Sequence, residues 1–444
     1  MERALTSTGS ATARATGAAA DRGTDADHRT TEATGQATDP TTPATEATGQ
    51  TTDPATPETD ATPVTGTPAG VPRDGISLTG PALRPSMYTD PALLELEQEL
   101  IFERTWQLAG HVASLPRPGS YITAQAGTQP VLVLRDERGE LRAYRNVCRH
   151  RGSRLLSGSG QCKAAIRCRY HGWTYRFDGT LIGVPEGLAF GERLDKRSLG
   201  LLPARVEVMN GLVFVNLDPD ARPLAELVGD LPERLAPYRI QTLTPFAPGG
   251  GTQPANWKVV ADNYLEGYHV PIAHPGLMRM LDYSRYRTEV HEHHVWFEAP
   301  LRERPSGNRL ERLYARLVTP MPGLGEADRR VWRYAFIYPN TTIDLYPDQV
   351  NTWQMLPDGV ARTRDSFACY RPAGADPRTR LAQWANQRLN SLVLDEDIDL
   401  VDNVQQGLQT RGYECGPLGG RETAVAWFAE RIRRDLHPAL ARSA

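Results

Sequence analysis

The sequence predicts an α+β protein in which a small antiparallel β domain precedes a larger mixed domain, behind a disordered N-terminal tail. Three observations support this fold class. The first 80 residues contain no Phe, Trp or Tyr. Short apolar segments separated by Asp-Gly and Asn-Gly pairs follow, up to about residue 220. Helical and strand patterns then mix over about 200 residues, which is enough for a second domain.

The tail is assigned to residues 1–82. It is rich in Ala, Thr, Gly, Pro and Asp and contains a near-repeat, TEATGQATDPTTPA from Thr31 and TEATGQTTDPATPE from Thr45. Such a stretch buries too little apolar surface to offset its ordering entropy, so we predict disorder and no specific role. Two repeats are also too few to form a solenoid.

Charge and composition narrow the function classes. A net charge of −3 and a pI near 6.4, with no basic stripe, argue against nucleic-acid binding. No run approaches the ~18 apolar residues of a membrane span, and no secretory signal is found. An odd number of cysteines favours a reducing cytoplasm, with Cys162, Cys369 and Cys415 as free thiols. The Arg/Ser/Thr/Ala-rich start leaves organelle import as the alternative.

An amphipathic helix is predicted within 83–108, where it packs on the folded part of the chain. Asp90 is a suitable N-cap and Pro91 fits the first helical position. Apolar residues then recur at helical spacing, at Leu93, Leu96, Leu100, Ile101 and Trp106.

Residues 109–220 are assigned to the small β domain. Three pairs of short apolar segments flank turn residues, which is typical of hairpins. The pairs are Val131–Leu134 with Leu141–Val147 around Gly139, Trp173–Phe177 with Thr180–Ile182 around Asp178-Gly179, and Arg205–Met209 with Leu212–Asn216 around Asn210-Gly211.

Residues 221–444 are assigned to the second domain. Its first part, up to Ile240, is interpreted as a polar connection interrupted by prolines. Its last strong helix is predicted from about Arg421 to Leu436.

Two loops of the β domain each offer one thiol and one imidazole. Cys148 and His150 form a C-x-H motif, and Cys168 and His171 form a C-x-x-H motif after seventeen intervening residues. Residues two apart in extended backbone point to the same side, so Cys148 and His150 can converge on one centre. A Rieske-type [2Fe–2S] cluster, in which two histidines replace two cysteines on one iron, uses this donor set. A Cys₂His₂ zinc site is the alternative.

A second group of metal-capable residues follows in NWKVVADNYLEGYHVPIAHPG, from Asn256. Its helical pattern is expected to end or kink at Pro271, so that His269 lies on the last turn and His274 folds back from the following loop. Two histidines that converge in this way supply part of a 2-His-1-carboxylate iron site. The alternative is two unrelated histidines, one of which caps a helix C-terminus.

The carboxylate is sought in LVLDEDIDLVDNVQQGL, from Leu392. On a helix at about 100° per residue, Asp397 falls inside the apolar stripe, whereas Asp395, Glu396, Asp399 and Asp402 fall on the solvated side. A buried carboxylate is costly unless it is paired or binds a metal, which favours Asp397 as the ligand. A salt bridge to a buried arginine is the alternative. The stripe consists of Leu394, Ile398, Val401, Val404, Gln405 and Leu408.

Residues from about 84 to 440 resemble the catalytic α subunit of a Rieske non-haem iron oxygenase. The motifs CRH…CRYHGW, NWK…DN..E.YH....H and EDI..VDNVQQGL occur in the order found in that family. The resemblance implies a helix-grip (START-like) catalytic domain. It also implies a [2Fe–2S] cluster on Cys148, His150, Cys168 and His171, and mononuclear Fe(II) on His269, His274 and Asp397.

The resemblance further implies that Glu266 carries electrons from the cluster of one subunit to the iron of its neighbour, and that Asn263 lies near the iron. Glu266 is three residues before His269, which would place both on one helix face. Many aromatic-ring dioxygenases have Asp at this position, so Glu266 is a mild departure. Electron transfer between subunits implies a homotrimer.

The implied activity uses O₂ and electrons from a separate NAD(P)H-dependent reductase, with or without a ferredoxin. The chain itself lacks a nucleotide-binding G-x-G-x-x-G after a strand and a plant-type C-x₄-C-x₂-C site. Glu266, the EDI…VQQGL helix and the ending GPLGGRETAVAWFAERIRRDL are most similar to the choline monooxygenase and betaine/carnitine oxygenase branch. That branch implies hydroxylation or N-dealkylation of a small organic substrate. A biosynthetic tailoring hydroxylase and an aromatic ring dioxygenase are the alternatives.

Three further hypotheses remain open. The chain is a Rieske electron carrier or a zinc-stabilised binding protein if no oxygenation occurs. Strand aromatics, although more often core, are candidates for a cage around a cationic nitrogen, namely Trp332, Tyr334, Tyr338, Tyr346 and Trp353. In VHEHHVWF, His291, Glu292, His293 and His294 form either a third metal site or a half-exposed strand.

Overall fold

The structure, a computed structural model, describes residues 81–443 except Pro305. The tail predicted at 1–82, with its two near-repeats, lies outside the described residues apart from its last two positions. Within the described part of the chain, no helix is both long enough and apolar enough to cross a bilayer.

Two short helices open the described chain, α1 (Ser86–Thr89) and α2 (Pro91–Glu97), and a π-helical turn at Gln98–Phe102 follows them. Asp90 caps α2 by accepting a hydrogen bond from the amide of Ala92 at 2.9 Å, and Pro91 is the first helical residue. Both predictions for this helix start are confirmed. The helix is shorter than its apolar pattern predicts, since Trp106 already borders the first strand.

Seven antiparallel strands form one sheet in the order β1-β10-β9-β4-β3-β2-β5, and β6-β7-β8 form a separate small sheet. All three predicted hairpins are confirmed, as the pairs β3–β4, β7–β8 and β9–β10. The two Cys-His motifs follow β4 and β6. The strand bounds are β1 Gln107–His111, β2 Ser120–Ala126, β3 Gln129–Arg135, β4 Leu141–Arg145, β5 Ser159–Gln161, β6 Ile166–Arg167, β7 Thr174–Tyr175, β8 Leu181–Gly183, β9 Pro203–Met209 and β10 Leu212–Asn216.

The β9–β10 turn shows why a glycine is needed at this point. Asn210 and Gly211 both have positive φ, 49° and 89°, as a two-residue type I′ turn requires. A Cβ on Gly211 would lie 2.4 Å from the Cα of Gln241. Glycine is therefore required both by backbone conformation and by the close approach of a second chain segment.

The connection after β10 differs from the prediction of a polar segment. It contains two helices, α3 (Leu224–Val228) and α4 (Leu231–Leu235), and the four apolar residues that begin and end them are buried. Their spacing of four, three and four residues is helical, and the prolines lie before or within the first turns, where proline is tolerated. The prolines therefore lie at the starts of α3 and α4 and do not interrupt either helix.

Eight strands form the second sheet, with β11-β18-β17-β16-β15-β14-β13 in order and β12 also paired with β18. The long helix α9 contacts α5, α7 and α8 beside this sheet. The predicted C-terminal helix is confirmed and extends to Ser443. The strands are β11 Leu243–Pro245, β12 Gly249–Gln253, β13 Arg287–Val290, β14 His294–Pro300, β15 Val331–Ile337, β16 Thr341–Leu345, β17 Val350–Pro357 and β18 Thr363–Pro372. The helices are α5 Trp257–Tyr264, α6 Val270–Ala273, α7 Pro275–Met280, α8 Arg309–Leu317, α9 Pro377–Leu408 and α10 Thr423–Ser443.

Candidate metal centres

The two Cys-His loops of the small domain share one backbone geometry. The amides of Cys148 and Cys168 each donate to the carbonyl five residues later at 2.8 Å, and each cysteine carbonyl accepts from a glycine amide at 3.1 Å. These glycines, Gly152 and Gly172, have φ of 72° and 71°. The shared signal in the sequence is a glycine four residues after each cysteine, which lies outside the C-x-H and C-x-x-H motifs. The structure thus presents both cysteines from matching turns.

The four predicted cluster residues lie together. Both cysteines are buried, and the rings of His150 and His171 have centroids 4.6 Å apart. The His150 ring stacks on Trp173 at 4.7 Å, and its Nδ1 is buried without a hydrogen-bond partner among the described residues. An unpaired buried nitrogen beside two buried thiols fits a metal group held by two sulfurs and two imidazoles.

The second predicted centre brings His269, His274 and Asp397 together. The two Nε2 atoms are 3.1 Å apart, and Asp397 Oδ1 lies 3.0 Å from the Nε2 of His274 and 3.7 Å from that of His269. Donors at right angles around one ion at ~2.1 Å would be about 3.0 Å apart, so the arrangement suits one metal with open positions. The three atoms form a group that could hold a metal ion.

Neighbouring side chains leave the Nε2 atoms free for a metal. Glu266 accepts a hydrogen bond from Nδ1 of His269, and Glu396 accepts one from Nδ1 of His274 at 2.7 Å. With the proton on Nδ1, each Nε2 presents its lone pair to the centre. Asn263 donates from Nδ2 to Asp397 Oδ1 at 2.8 Å, which orients that carboxylate.

The local backbone differs from the prediction although the two histidines converge as expected. The helix ends at Tyr264, so His269 does not lie on its last turn. Pro271 lies in the first turn of α6 instead of ending a helix, and His274 lies between α6 and α7. Glu266 is therefore not on a helix face shared with His269. Its carboxylate instead caps the turn, accepting from the amide of His269 at 3.1 Å.

The helical pattern of α9 places Asp397 inward, as predicted, but it is wrong for Val404 and gives no sign of one contact made by Glu396. Val404, assigned to the apolar stripe, is 51% exposed. Glu396, assigned to the solvated side, is 39% exposed yet reaches His274. A long side chain at the edge of a stripe can bend toward a partner that only the tertiary structure supplies. Periodicity carries no signal for such a contact.

One face of the second sheet borders this centre. Cross-strand partners share a face, and Tyr334 pairs with both Phe297 and Asp344. The hydroxyl of Tyr264 donates to Asp344 Oδ1 at 2.7 Å, and the Tyr264 ring lies 5.8 Å from that of Trp353. Tyr264 directly follows the residue that binds Asp397. Asp344 and its aromatic neighbours therefore lie next to the metal-capable triad.

The side chain of Asp344 is surrounded by protein but is partly accessible, as are the side chains of Tyr264, Tyr334 and Trp353. Burial raises the pKa of Asp344 to about 6, although the hydrogen bond from Tyr264 opposes this shift. Within residues 81–443, no Lys, Arg or His forms an ion pair with Asp344. The sequence signal for Asp344 is an aspartate inside the apolar strand TTIDL.

The aromatic residues proposed for a cage divide into two groups. Tyr334 and Trp353 are the partly accessible residues near Asp344, whereas Trp332, Tyr338 and Tyr346 are buried in the core. Tyr346 still anchors the face, because its hydroxyl donates to Asn390 of α9 at 2.8 Å.

The histidines of the segment VHEHHVWF divide between two sets of contacts. His293 Nδ1 accepts from Arg431 at 2.8 Å, and its Nε2 lies 3.1 Å from Glu292. His291 and His294 instead meet Asp230 of the α3–α4 connection, in a second group that could hold a metal.

The comparisons with known proteins assign a family to each of the two domains. Residues 105–189 match the Rieske [2Fe-2S] domain family, and residues 237–437 match the family of ring hydroxylating alpha subunits (catalytic domain). The carnitine monooxygenase oxygenase subunit of Acinetobacter pittii is 30% identical over 332 residues, covering 73% of this chain and 85% of the relative. The chloroplastic choline monooxygenase of Beta vulgaris is 32% identical over 344 residues, covering 76% and 73%.

Solved structures of Rieske oxygenases are also similar to this chain. The quaternary ammonium Rieske monooxygenase CntA in complex with L-carnitine superposes with a TM-score of 0.67 at 27% identity, covering 80% of this chain and 96% of that one. Naphthalene 1,2-dioxygenase from Rhodococcus sp. shares the fold, with a TM-score of 0.64 at 21% identity, covering 80% and 94%.

A cluster-type donor set and a 2-His-1-carboxylate centre in these two domains define a Rieske non-haem iron oxygenase. The chain belongs to this family, as the catalytic α subunit. It is an oxidoreductase that carries a Rieske [2Fe–2S] cluster and a mononuclear iron. Its family uses a substrate, O₂ and NAD(P)H electrons delivered by a separate reductase.

Proposed function

We propose that Cys148, His150, Cys168 and His171 hold the cluster and that His269, His274 and Asp397 hold the ferrous ion. The unpaired Nδ1 of His150 and the mutual approach of the three acceptor atoms in the second centre support this assignment. Three lone-pair atoms facing one another repel unless a cation lies between them. When bound, the ferrous ion supplies O₂ activation beside the substrate.

We also propose that Glu266 is the contact through which electrons pass between subunits of a homotrimer. Its carboxylate holds His269 Nδ1, and the residue lines a cavity of about 580 Å³ together with Asn263 and Tyr413. Glu266 therefore touches an iron-ligand candidate on one side and an open cavity on the other. A histidine of a neighbouring subunit's cluster is the group expected to enter there.

Mixed trimers test this assignment. Co-expression of His150→Ala and Asp397→Ala chains yields trimers in which an intact cluster can face an intact iron site only across a subunit boundary. Random mixing should then restore up to about one quarter of wild-type turnover in a cyclic trimer. Restored activity supports electron transfer between subunits. If co-expression of the two variants restores no turnover, although the trimers are shown to contain both chains, the assignment is contradicted.

The substrate we propose is a small compound with a cationic nitrogen, oxidised on an adjacent alkyl group. The observation that carries this proposal is Asp344, a carboxylate among partly accessible aromatic side chains and without a cationic side chain paired to it. A buried charge of this kind is costly unless something of opposite charge enters, and aromatic faces favour alkylammonium groups. Carnitine and choline, the compounds in the names of the relatives, both carry a trimethylammonium group.

The test compares an ammonium substrate with a neutral compound of the same shape. Choline and 3,3-dimethylbutan-1-ol differ in one nitrogen-for-carbon exchange, and both are assayed with a surrogate reductase and NADH. We expect wild-type kcat/KM to favour choline, and Asp344→Asn to reduce that ratio by about tenfold, the effect of ~1.4 kcal/mol. Asp358→Asn, at an exposed turn of the same sheet, is the matched control.

Two results would contradict the substrate proposal. Preference of the wild type for the neutral compound would exclude a cationic substrate. An unchanged preference in Asp344→Asn would remove Asp344 from substrate recognition while leaving the oxygenase assignment intact.

We place the enzyme in the cytoplasm. None of the five cysteines, all of which are among the described residues, forms a disulfide, as expected for a protein that works in a reducing compartment. Fractionation of the native host, followed with an antibody to this chain, tests the location.

A further inference from the structure

The β13–β14 hairpin carries a histidine pair outside the two iron-related centres. His291 and His294 close its two-residue turn, with the amide of His291 donating to the carbonyl of His294 at 2.9 Å. The two side chains therefore stand opposite each other, and their rings stack with centroids 4.2 Å apart. A cross-strand pair fixed by a tight turn is a rigid support for two ligands.

Asp230, the residue before α4, adds a carboxylate to this histidine pair from another part of the chain. Its Oδ1 lies 3.6 Å from His294 Nε2 and 3.9 Å from His291 Nδ1. Its other oxygen, Oδ2, accepts from Arg234 Nε at 2.7 Å. The arginine therefore orients the carboxylate and leaves Oδ1 directed at the histidines, as carboxylate-orienting partners do around metal ligands.

The charge balance permits a cation here. Arg234 also donates to Glu289 at 2.7 Å, so two carboxylates share its single positive charge. Glu289 Oε2 itself lies 3.8 Å from His291 Nε2. Around the two rings, the described groups thus contribute two negative charges and one positive charge.

The independent observation is the burial of His294. Its side chain is 2% exposed, and neither ring nitrogen has a hydrogen-bond partner among the described residues. His291 Nε2 is buried without a partner as well. Buried imidazole nitrogens in folded proteins are nearly always satisfied, so two histidines with three unsatisfied nitrogens beside a carboxylate point to a ligand.

We propose that Asp230, His291 and His294 bind a divalent transition metal, zinc being the probe of choice. Two imidazoles and a carboxylate suit Zn²⁺, whose tetrahedral donors lie about 3.4 Å apart. Asp230 Oδ1 lies 3.6 Å from His294 Nε2 and 3.9 Å from His291 Nδ1, which is close to that spacing. The bound metal fastens the connection between the two domains to the catalytic sheet. Its role is structural and separate from the iron chemistry.

Zinc content measures this site directly. Iron-loaded full-length protein is incubated with Zn²⁺, desalted, and analysed for zinc and iron by mass spectrometry. We expect the wild type to retain one zinc per chain more than the His291→Gln/His294→Gln double variant. A titration followed by thermal unfolding should show a zinc-dependent rise in midpoint in the wild type alone. Any zinc that replaces iron at the catalytic centre appears equally in both proteins and cancels in the difference.

His293→Gln is the matched control, because it changes a histidine in the same turn whose nitrogens face Arg431 and Glu292. It should retain the wild-type zinc content. If the double variant fails to fold, as judged by its cluster absorbance, Asp230→Asn decides the question, because Asp230 is 48% exposed and contributes little to the core. Its zinc affinity should fall at least tenfold. Equal zinc binding by the wild type and by the folded double variant, or by Asp230→Asn where the double variant does not fold, would overturn the proposal.

Discussion

Replacing Glu396 by alanine should weaken ferrous-ion binding without touching a proposed ligand. Glu396 holds Nδ1 of His274 at 2.7 Å, which keeps the proton off Nε2, the atom that faces the centre. A hydrogen bond to a charged group contributes about 1.5–3 kcal/mol. Because Glu396 is 39% exposed, solvent screening places the value at the lower end, about 1.5 kcal/mol.

That free energy corresponds to roughly tenfold weaker iron binding, within the range found when partners of metal-ligating histidines are removed. Glu396→Gln keeps an acceptor oxygen but loses the charge, and its affinity should lie between alanine and wild type. Asp395→Ala is the matched control, one residue earlier on the exposed side of α9. It should bind iron within about twofold of the wild type.

Affinity is measured anaerobically by competition with a chromophoric Fe(II) chelator. The visible spectrum of the cluster, in the other domain, reports whether each variant is folded. Wild-type affinity in Glu396→Ala, with an intact cluster spectrum, would refute the view that this carboxylate orients His274. A loss of affinity equal to that in Asp395→Ala would assign the effect to general charge near the helix.

Three further predictions address Asp344, the cluster and the fold. Burial raises the pKa of Asp344 to about 6, so the carboxylate that attracts a cationic substrate is present above that pH. Below that pH, KM should rise up to about tenfold per pH unit, and the pH profile of KM should be flat in Asp344→Asn. Tyr175 accepts from a backbone amide and lies 3.4 Å from Cys148 Sγ, so Tyr175→Phe should remove ~1 kcal/mol of hydrogen bonding and lower the cluster potential by about 40 mV in a spectroelectrochemical titration. The buried carboxylate of Glu97 lies 2.6 Å from the ammonium group of Lys258 and loses its cation in Lys258→Met. This variant should lower the free energy of unfolding in urea by about 3–5 kcal/mol, and adding Glu97→Gln should restore part of that loss. An unchanged pH profile, potential or unfolding midpoint would contradict the respective argument.

The metal-capable side chains were predictable because each reflects local chemistry. Cys148 and Cys168 stand in short motifs that few other functions require, and the sheet geometry around them followed from Asp-Gly and Asn-Gly turns. Asp397 followed from a carboxylate inside an apolar helical stripe. These inferences use only spacing along the chain, which local structure preserves.

The remaining parts of the site depend on contacts between distant segments. His269 and His274 were predicted to converge around a helix end, yet the backbone between them is a turn and two short helices. Glu396 reaches His274 from 122 residues away in sequence. Asp344 lies beside the centre only because strand pairing and Tyr264 place it there. Helical periodicity and strand alternation do not encode such contacts, so they do not predict the roles of Glu396 and Asp344.

The polar connection was misread for a different reason. The prolines lie near the starts of α3 and α4, where proline is favoured and does not interrupt a helix. The buried leucines at helical spacing were the stronger signal. Giving burial patterns precedence over single prolines would have recovered both helices.

The most direct test of the account is oxygen labelling during turnover. Purified enzyme, a surrogate reductase and NADH are supplied with ¹⁸O₂ and a panel of ammonium and aromatic compounds, with Asp397→Ala as the inactive control. The account predicts one ¹⁸O atom in a product formed from an ammonium compound, or formaldehyde where the hydroxylated methyl group is lost. Two ¹⁸O atoms in an aromatic product, or the same product yield from Asp397→Ala, would contradict it.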